Sequence, residues 1–324
     1  MKAKSFSPVN TAKLIGITGI ARTGKALVGG LVASLEKVEK INVNLMWELA
    51  NQLNFTKQIN DESSVFLLRK GFSIISYNLA LGREVNTRPN DFSSILLNKN
   101  PNTYFRRIKK AKEGDGVFKK MKKDLFKVPI LIHYALLHSK IIFKAFPDIK
   151  MIQVEKNPIE LSYSWINKKY GSEFYKNERG GILTFKKNKK IFPWFAYGWE
   201  NLYFSLNETD KIVYLLDKLT KLQNLQYKKL NRIQKRKIIK IHFENFVSNP
   251  KFYVKKIEKF LNSKKTYLSN KFLLNEKCPR KLKKKNYEFK KLVLKKKLSK
   301  LGYKKLILME KQYFKKLNFK KLYF

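Results

Sequence analysis

Acidic residues are scarce in this 324-residue chain, where 24 Asp and Glu stand against 71 Lys and Arg for a formal net charge of +47. Arginine is scarce too, ten against 61 lysines. Base readout in nucleic acids leans on arginine forks, so the charge alone does not name nucleic acid as the partner. Lys, Asn, Ile, Phe and Tyr are abundant together, a skew that an AT-biased genome imposes without selection for a polyanion. A single cysteine, Cys278, excludes an internal disulfide and a multi-cysteine zinc site. His133 and His138 are five positions apart and share no helix face, so no metal site is expected. No window supplies the roughly 20 mostly apolar residues of a membrane span, because Arg22 and Lys25 interrupt the run Leu14–Ala21. The chain is therefore expected to be soluble and cytoplasmic. It contains no internal repeat.

What is present is a hydrophobic content of 44%, enough for a real core. Lys13–Thr18 has the apolar, β-branched character of a short buried strand, and Lys25–Leu35 that of a helix. Val43–Leu81 and Val117–Phe146 are mostly helical in pattern. Between them, the polar stretch Gly82–Arg107 is a candidate substrate loop. Lys150–Glu155 is a second strand, closed by Asn157-Pro158 and a helix to about Lys169. Pro193–Leu206 and Asp210–Leu230 are further helices. Lys237–Phe243 is a third strand, followed by Asn249-Pro250 and an amphipathic helix through Leu261. Strands alternating with helices argue for a three-layer α/β/α fold, a central, mostly parallel sheet covered on both faces. The division expected is a main domain over 11–275 and a basic, helical C-terminal extension over 276–324, where lysine clusters are spaced by Leu, Tyr and Phe. A solvated amphipathic helix is the favoured reading of that extension. Contact with an acidic membrane surface or an electrostatic funnel for anionic ligands are the others.

Gly19-Ile-Ala-Arg-Thr-Gly-Lys25 satisfies the phosphate-loop pattern Gly-x-x-x-x-Gly-Lys, and it stands where such a loop must stand, after a strand and before a helix. Glycines let the backbone wrap an anion, amide N–H groups and the helix dipole face it, and Lys25 neutralises it. Ala26 follows, where ATP- and GTP-using proteins carry a Ser or Thr whose hydroxyl holds Mg²⁺. A phosphodonor that needs no metal fits better. Lys156 at the end of the second strand and Ser164 eight positions on supply a cation and a hydroxyl for a second phosphate.

With these residues in view, the sequence resembles the sulfotransferase family, which uses 3′-phosphoadenosine 5′-phosphosulfate (PAPS). That family's 5′-phosphosulfate loop, Gly-x-Pro-Arg-Ser-Gly-Thr-Thr, is similar to Gly19–Ala26, and its Phe-Pro-Asp-Ala-Lys, strand, Arg-Asn-Pro and Ser element is matched without a gap from Phe146 to Ser164. Phe243-Glu-Asn-Phe-Val-Ser-Asn-Pro250 resembles a third landmark, and the three lie in order from Leu14 to about Leu261. The departures are Lys156 for the usual Arg, Lys25 and Ala26 for paired hydroxyls, and the lack of a closing glycine-rich segment, for which Arg280 and nearby lysines are the substitutes.

The resemblance implies a P-loop fold and PAPS as co-substrate without a metal. It implies a sulfuryl group passed to a hydroxyl acceptor, carbohydrate or another small molecule. The donor contacts it implies are Arg22, Thr23, Gly24, Lys25, Ala26, Lys156 and Ser164. Lys25 would act on the transferred group, and the base is sought among Glu84, Asp124 and His133. In carbohydrate-type members a Glu precedes a segment similar to Lys127-Val-Pro129, and here Phe126 holds its place. Trp194, Phe195, Tyr197, Trp199 and Tyr203 have the spacing of core residues, with a stacking platform as the alternative. A P-loop kinase or NTPase, suggested by the loop alone, and a nucleic-acid-binding protein, suggested by the charge alone, are the competing classes.

Overall fold

Lys13–Gly19 (β1) is buried at every position after the first, as an inner strand of a parallel sheet must be. In the computed structural model, which describes residues 12–89, 91–98, 100–110, 116, 127–170 and 181–315, it occupies the centre of a five-stranded sheet. The order is β2-β3-β1-β4-β7, all parallel, with β2 at Asn42–Val43, β3 at Lys127–His133, β4 at Lys150–Glu155 and β7 at Ile238–His242. A separate antiparallel hairpin pairs β5 (Thr184–Lys187) with β6 (Lys190–Pro193). The helices are α1 (Lys25–Ala33), α2 (Leu45–Phe55), α3 (Asp61–Leu81), α4 (Ile95–Asn98), α5 (Pro101–Lys110), α6 (Ser139–Ala145), α7 (Pro158–Asn167), α8 (Glu200–Ser205), α9 (Glu208–Lys229), α10 (Arg232–Arg236), α11 (Phe243–Ser248), α12 (Pro250–Leu261), α13 (Tyr267–Asn275), α14 (Lys284–Lys297) and α15 (Lys300–Lys315).

Alternate strand residues feed opposite layers. Ile15, Ile17, Ile152, Val154 and Ile241 pack with α1, α11, α12 and α13 through Val28, Leu31, Phe246, Ile257 and Phe272. Leu14, Val128, Ile130, Ile132 and Met151 pack on the other face with Trp47, Leu68, Phe72 and Ile142 of α2, α3 and α6. Each fully buried aliphatic side chain contributes roughly 1.5–3 kcal/mol of transfer free energy, which outweighs the modest strand or helix propensities around it. A third cluster gathers Trp165, Trp194, Leu215 and Leu216 with Leu294, Leu306 and Met309. The last two helices thus bury their apolar residues in the molecule and turn lysines outward, and α14 packs on α7 while α15 packs on α7 and α9.

Three expectations from the sequence are corrected. Lys127–His133, inside the segment expected to be helical, is an inner strand, although its Pro129 lacks the N–H that an inner strand normally uses. Of that segment only Ser139–Ala145 is α-helix among the described residues. Pro193–Leu206 is not one helix. It is the end of β6, a 3₁₀ turn at Trp194–Ala196, a break at Gly198 with φ of 83°, and α8. The polar stretch after Gly82 holds two helices, α4 and α5, and Arg107 there forks onto Glu39 with two contacts of 2.9 Å.

Candidate active site

Parallel pairing brings the carboxyl ends of β1, β3 and β4 to one edge, the place where open α/β sheets bind ligands. The loop Gly19–Gly24 leaves β1 there. Gly19 has φ of 151°, and a Cβ on it would lie 2.4 Å from the Val154 carbonyl of β4. Gly24, at φ of 93°, caps α1, and a Cβ on it would lie 2.2 Å from the Phe243 ring. Glycine is therefore required at both ends of the loop, by backbone conformation and by space. Thr23 folds its hydroxyl onto the Ile20 carbonyl at 2.9 Å, and Trp165 of α7 donates its indole N–H to the Ala21 carbonyl at 2.9 Å.

Lys25 is 4% exposed and its Nζ donates to the Ile20 carbonyl at 2.9 Å. Burial, aided by the Arg22 charge and opposed by Glu48, holds its pKa down to about 7. Glu48, from α2, is buried and unites three parts of the site. Its Oε1 accepts the His133 backbone N–H at 2.6 Å and lies 2.9 Å from His133 Nδ1, while its charge acts on Lys25. His133 ends β3, and burial together with the Lys25 charge keeps its pKa below the ordinary histidine value.

The second element converges on the first. Arg22, in a left-handed conformation at φ of 70°, sets its Nε 3.4 Å from Ser164 Oγ on α7. Lys156 directly follows β4 and places its ammonium 4.8 Å from the centre of the Phe243 ring, the same ring that lies against Gly24. Burial lowers the pKa of Lys156, with Arg22 among the cations that contribute. The following residue, Asn157, caps α7 with its side chain and donates its own N–H to the buried Glu244 at 3.0 Å. Arg22 thus links the loop to α7 through Ser164, and its charge acts on both Lys25 and Lys156.

Other residues singled out from the sequence lie elsewhere. Glu84 is exposed on the turn after α3, where its charge acts on Lys40. Asp124 lies outside the described residues. Lys127–Pro129 opens β3 in register with Lys13–Ile15, at the opposite end of the sheet from the loop. Arg280 turns back on the Glu276 carbonyl at 2.7 Å. Trp194, Phe195 and Tyr203 are core, and Tyr197 is exposed. His138 sits among Phe55 and Trp194, and burial lowers its pKa to about 3. Among the described residues no group of three or more His, Cys, Asp or Glu could hold a metal, and no helix is long and apolar enough to cross a membrane.

The parallel sheet, the glycine-bounded loop that leaves β1 and the helix it opens make this an α/β protein. Among solved structures, the chain is similar to the sulfotransferase STF9 from Mycobacterium avium, with TM-score 0.46 and 11% identity over 98% of this chain and 79% of that one. It is similar also to a sulfotransferase from Alicyclobacillus acidocaldarius, with TM-score 0.37 and 15% identity over 76% and 80% of the two chains. No family model and no curated protein matches the sequence. At this distance the functional reading rests on the residues of the site.

Proposed function

We propose that this protein is a PAPS-dependent sulfotransferase acting on a hydroxyl of a carbohydrate or another small acceptor. The observation that carries the reading is the contact of Arg22 with Ser164, which joins the loop after β1 to α7, so that a donor with phosphates at both ends would meet both. Lys25, Arg22, Thr23 and the amides around Gly24 and Ala26 would hold the phosphosulfate, and Lys156 with Ser164 the 3′-phosphate. In an in-line displacement, the acceptor oxygen bonds to sulfur as the bond from sulfur to the phosphate oxygen breaks. The charges of Arg22, Lys25 and Lys156 would stabilise the charge that gathers on the leaving phosphate.

The acceptor's proton goes to His133 in this reading. Glu48 fixes the Nδ1 side of the ring, which leaves Nε2 bare as the acceptor, and a depressed pKa keeps the ring neutral at pH 7. Glu48 takes the orienting role. It was not evident in the sequence, because a lone glutamate within a helix carries no motif.

Thermal melting with adenosine 3′,5′-bisphosphate, Mg-ATP or buffer tests the reading, since a ligand that binds the folded state raises its melting temperature. A larger shift with the bisphosphate than with Mg-ATP is expected. Tight Mg-ATP binding without preference for a 3′-phosphate would overturn it in favour of a P-loop NTPase. Steeply salt-dependent binding to generic DNA, unaffected by the bisphosphate, would favour a nucleic-acid-binding protein.

A further inference from the structure

The last helix reaches the second anion element. Tyr313 of α15 donates its hydroxyl to Glu244 Oε2 at 2.6 Å, and Glu244 Oε1 accepts the Asn157 N–H at 3.0 Å. Glu244 is 2% exposed and directly follows Phe243, and Asn157 directly follows Lys156. One carboxylate therefore couples a tyrosine of the C-terminal helix to the backbone of the turn that presents the Lys156 ammonium. Tyr313 and Lys156 also wall a common cavity of about 110 Å³, together with Gln153 and Met309, so α15 lies directly over this turn.

Glu244 and Lys156 carry opposite charges, and each acts on the other. Held by the Tyr313 hydroxyl, the Asn157 N–H and its own backbone N–H, the carboxylate is fixed in place. Deprived of the tyrosine hydroxyl, it is free to turn an oxygen toward the nearest cation, and a Lys156 paired with Glu244 no longer attracts a phosphate. We infer that Tyr313 is a positioning residue for the donor's second phosphate: it holds Glu244 on the Asn157 amide and so leaves the Lys156 charge available. The inference rests on the two-phosphate reading of the site. It makes the lysine-rich C-terminal segment a working part of the donor site and gives that part to one hydroxyl group.

Calorimetric titration of full-length protein with adenosine 3′,5′-bisphosphate and with adenosine 5′-monophosphate tests it. Tyr313→Phe is expected to weaken bisphosphate binding about tenfold, the cost of losing one charge-assisted contact, with monophosphate binding unchanged. Adding Glu244→Gln should restore discrimination, because a neutral amide cannot neutralise Lys156. Tyr287→Phe, which removes a buried hydroxyl from the neighbouring helix α14, serves as the control and should leave both affinities unchanged. If Tyr313→Phe weakens both nucleotides equally or neither, or if the double variant shows no recovery, Tyr313 has no positioning role. If the wild-type protein does not prefer the bisphosphate, the two-phosphate reading fails and the inference fails with it.

Discussion

Lys25 exists at the boundary of its two charge states. Its pKa of about 7 in the folded protein lies below the ordinary lysine value of 10.5, so between these limits the unfolded chain binds a proton that the folded chain does not. Stability accordingly rises with pH across that window, and below about pH 7 the cost of the buried charge is present in full. Lys25→Met should remove a penalty on the order of a few kcal/mol, raise the melting temperature at pH 7 and flatten the pH dependence above it, while donor binding is lost. A bound anion restores the charge. Bisphosphate binding at pH 8 should therefore take up close to one proton, measurable as a dependence of the calorimetric enthalpy on the ionisation heat of the buffer. His133 behaves oppositely in kinetics. With His133 as the proposed base, its depressed pKa would place the acid limb of the kcat profile below the ordinary histidine range, and His133→Ala should lower kcat about 10²–10⁴-fold with little change in donor KM. Glu48→Gln should give a smaller loss and shift that limb to lower pH, since a carboxylate that favours the protonated ring has been removed.

At the scale of elements, the contact between α1 and α13 is set by one small residue. A Cβ on Gly30 would lie 2.3 Å from the Phe272 ring. Gly30→Ala should thus destabilise the protein by about 1–3 kcal/mol in denaturant titrations, even though alanine is the better helix former by roughly 1 kcal/mol, and Phe272→Leu should relieve the clash. Here too lies the difference between what the sequence showed and what it concealed. The strand, loop and helix from Lys13 to Ala33, and the strand, Asn-Pro cap and helix from Lys150 to Asn167, were legible because each carries its own signals in adjacent residues: apolar runs, glycines and a proline at N1. The strand at Lys127–His133 was concealed by Pro129, and its helix-like apolar run became a strand only through pairing with β1 and β2. The break at Gly198 was concealed by aromatics in Pro193–Leu206 whose spacing suits a helix equally well. The juncture of Arg22 with Ser164, 142 positions apart, and of Glu48 with His133, 85 apart, belongs to tertiary packing, which no local pattern encodes.

For the whole molecule, the net charge of +47 is a self-repulsion that the fold must overcome, and salt screens it. The melting temperature should rise as NaCl is raised from 10 to about 150 mM, where the Debye length shortens from about 30 to about 8 Å. A decrease would show that ion pairs such as Lys290 with Glu160 and Lys291 with Glu310 outweigh the repulsion. The packing of the last two helices has a consequence in time. Trp165 and Trp194 share a core with Leu294, Leu306 and Met309, residues made about 100 to 144 positions later. At a synthesis rate of about 5–20 residues per second, those tryptophans wait roughly 5–30 s on the ribosome for the surface that covers them. A nascent chain stalled before α14 should consequently bind chaperones that the completed chain releases, and it should acquire protease resistance only when α15 has emerged.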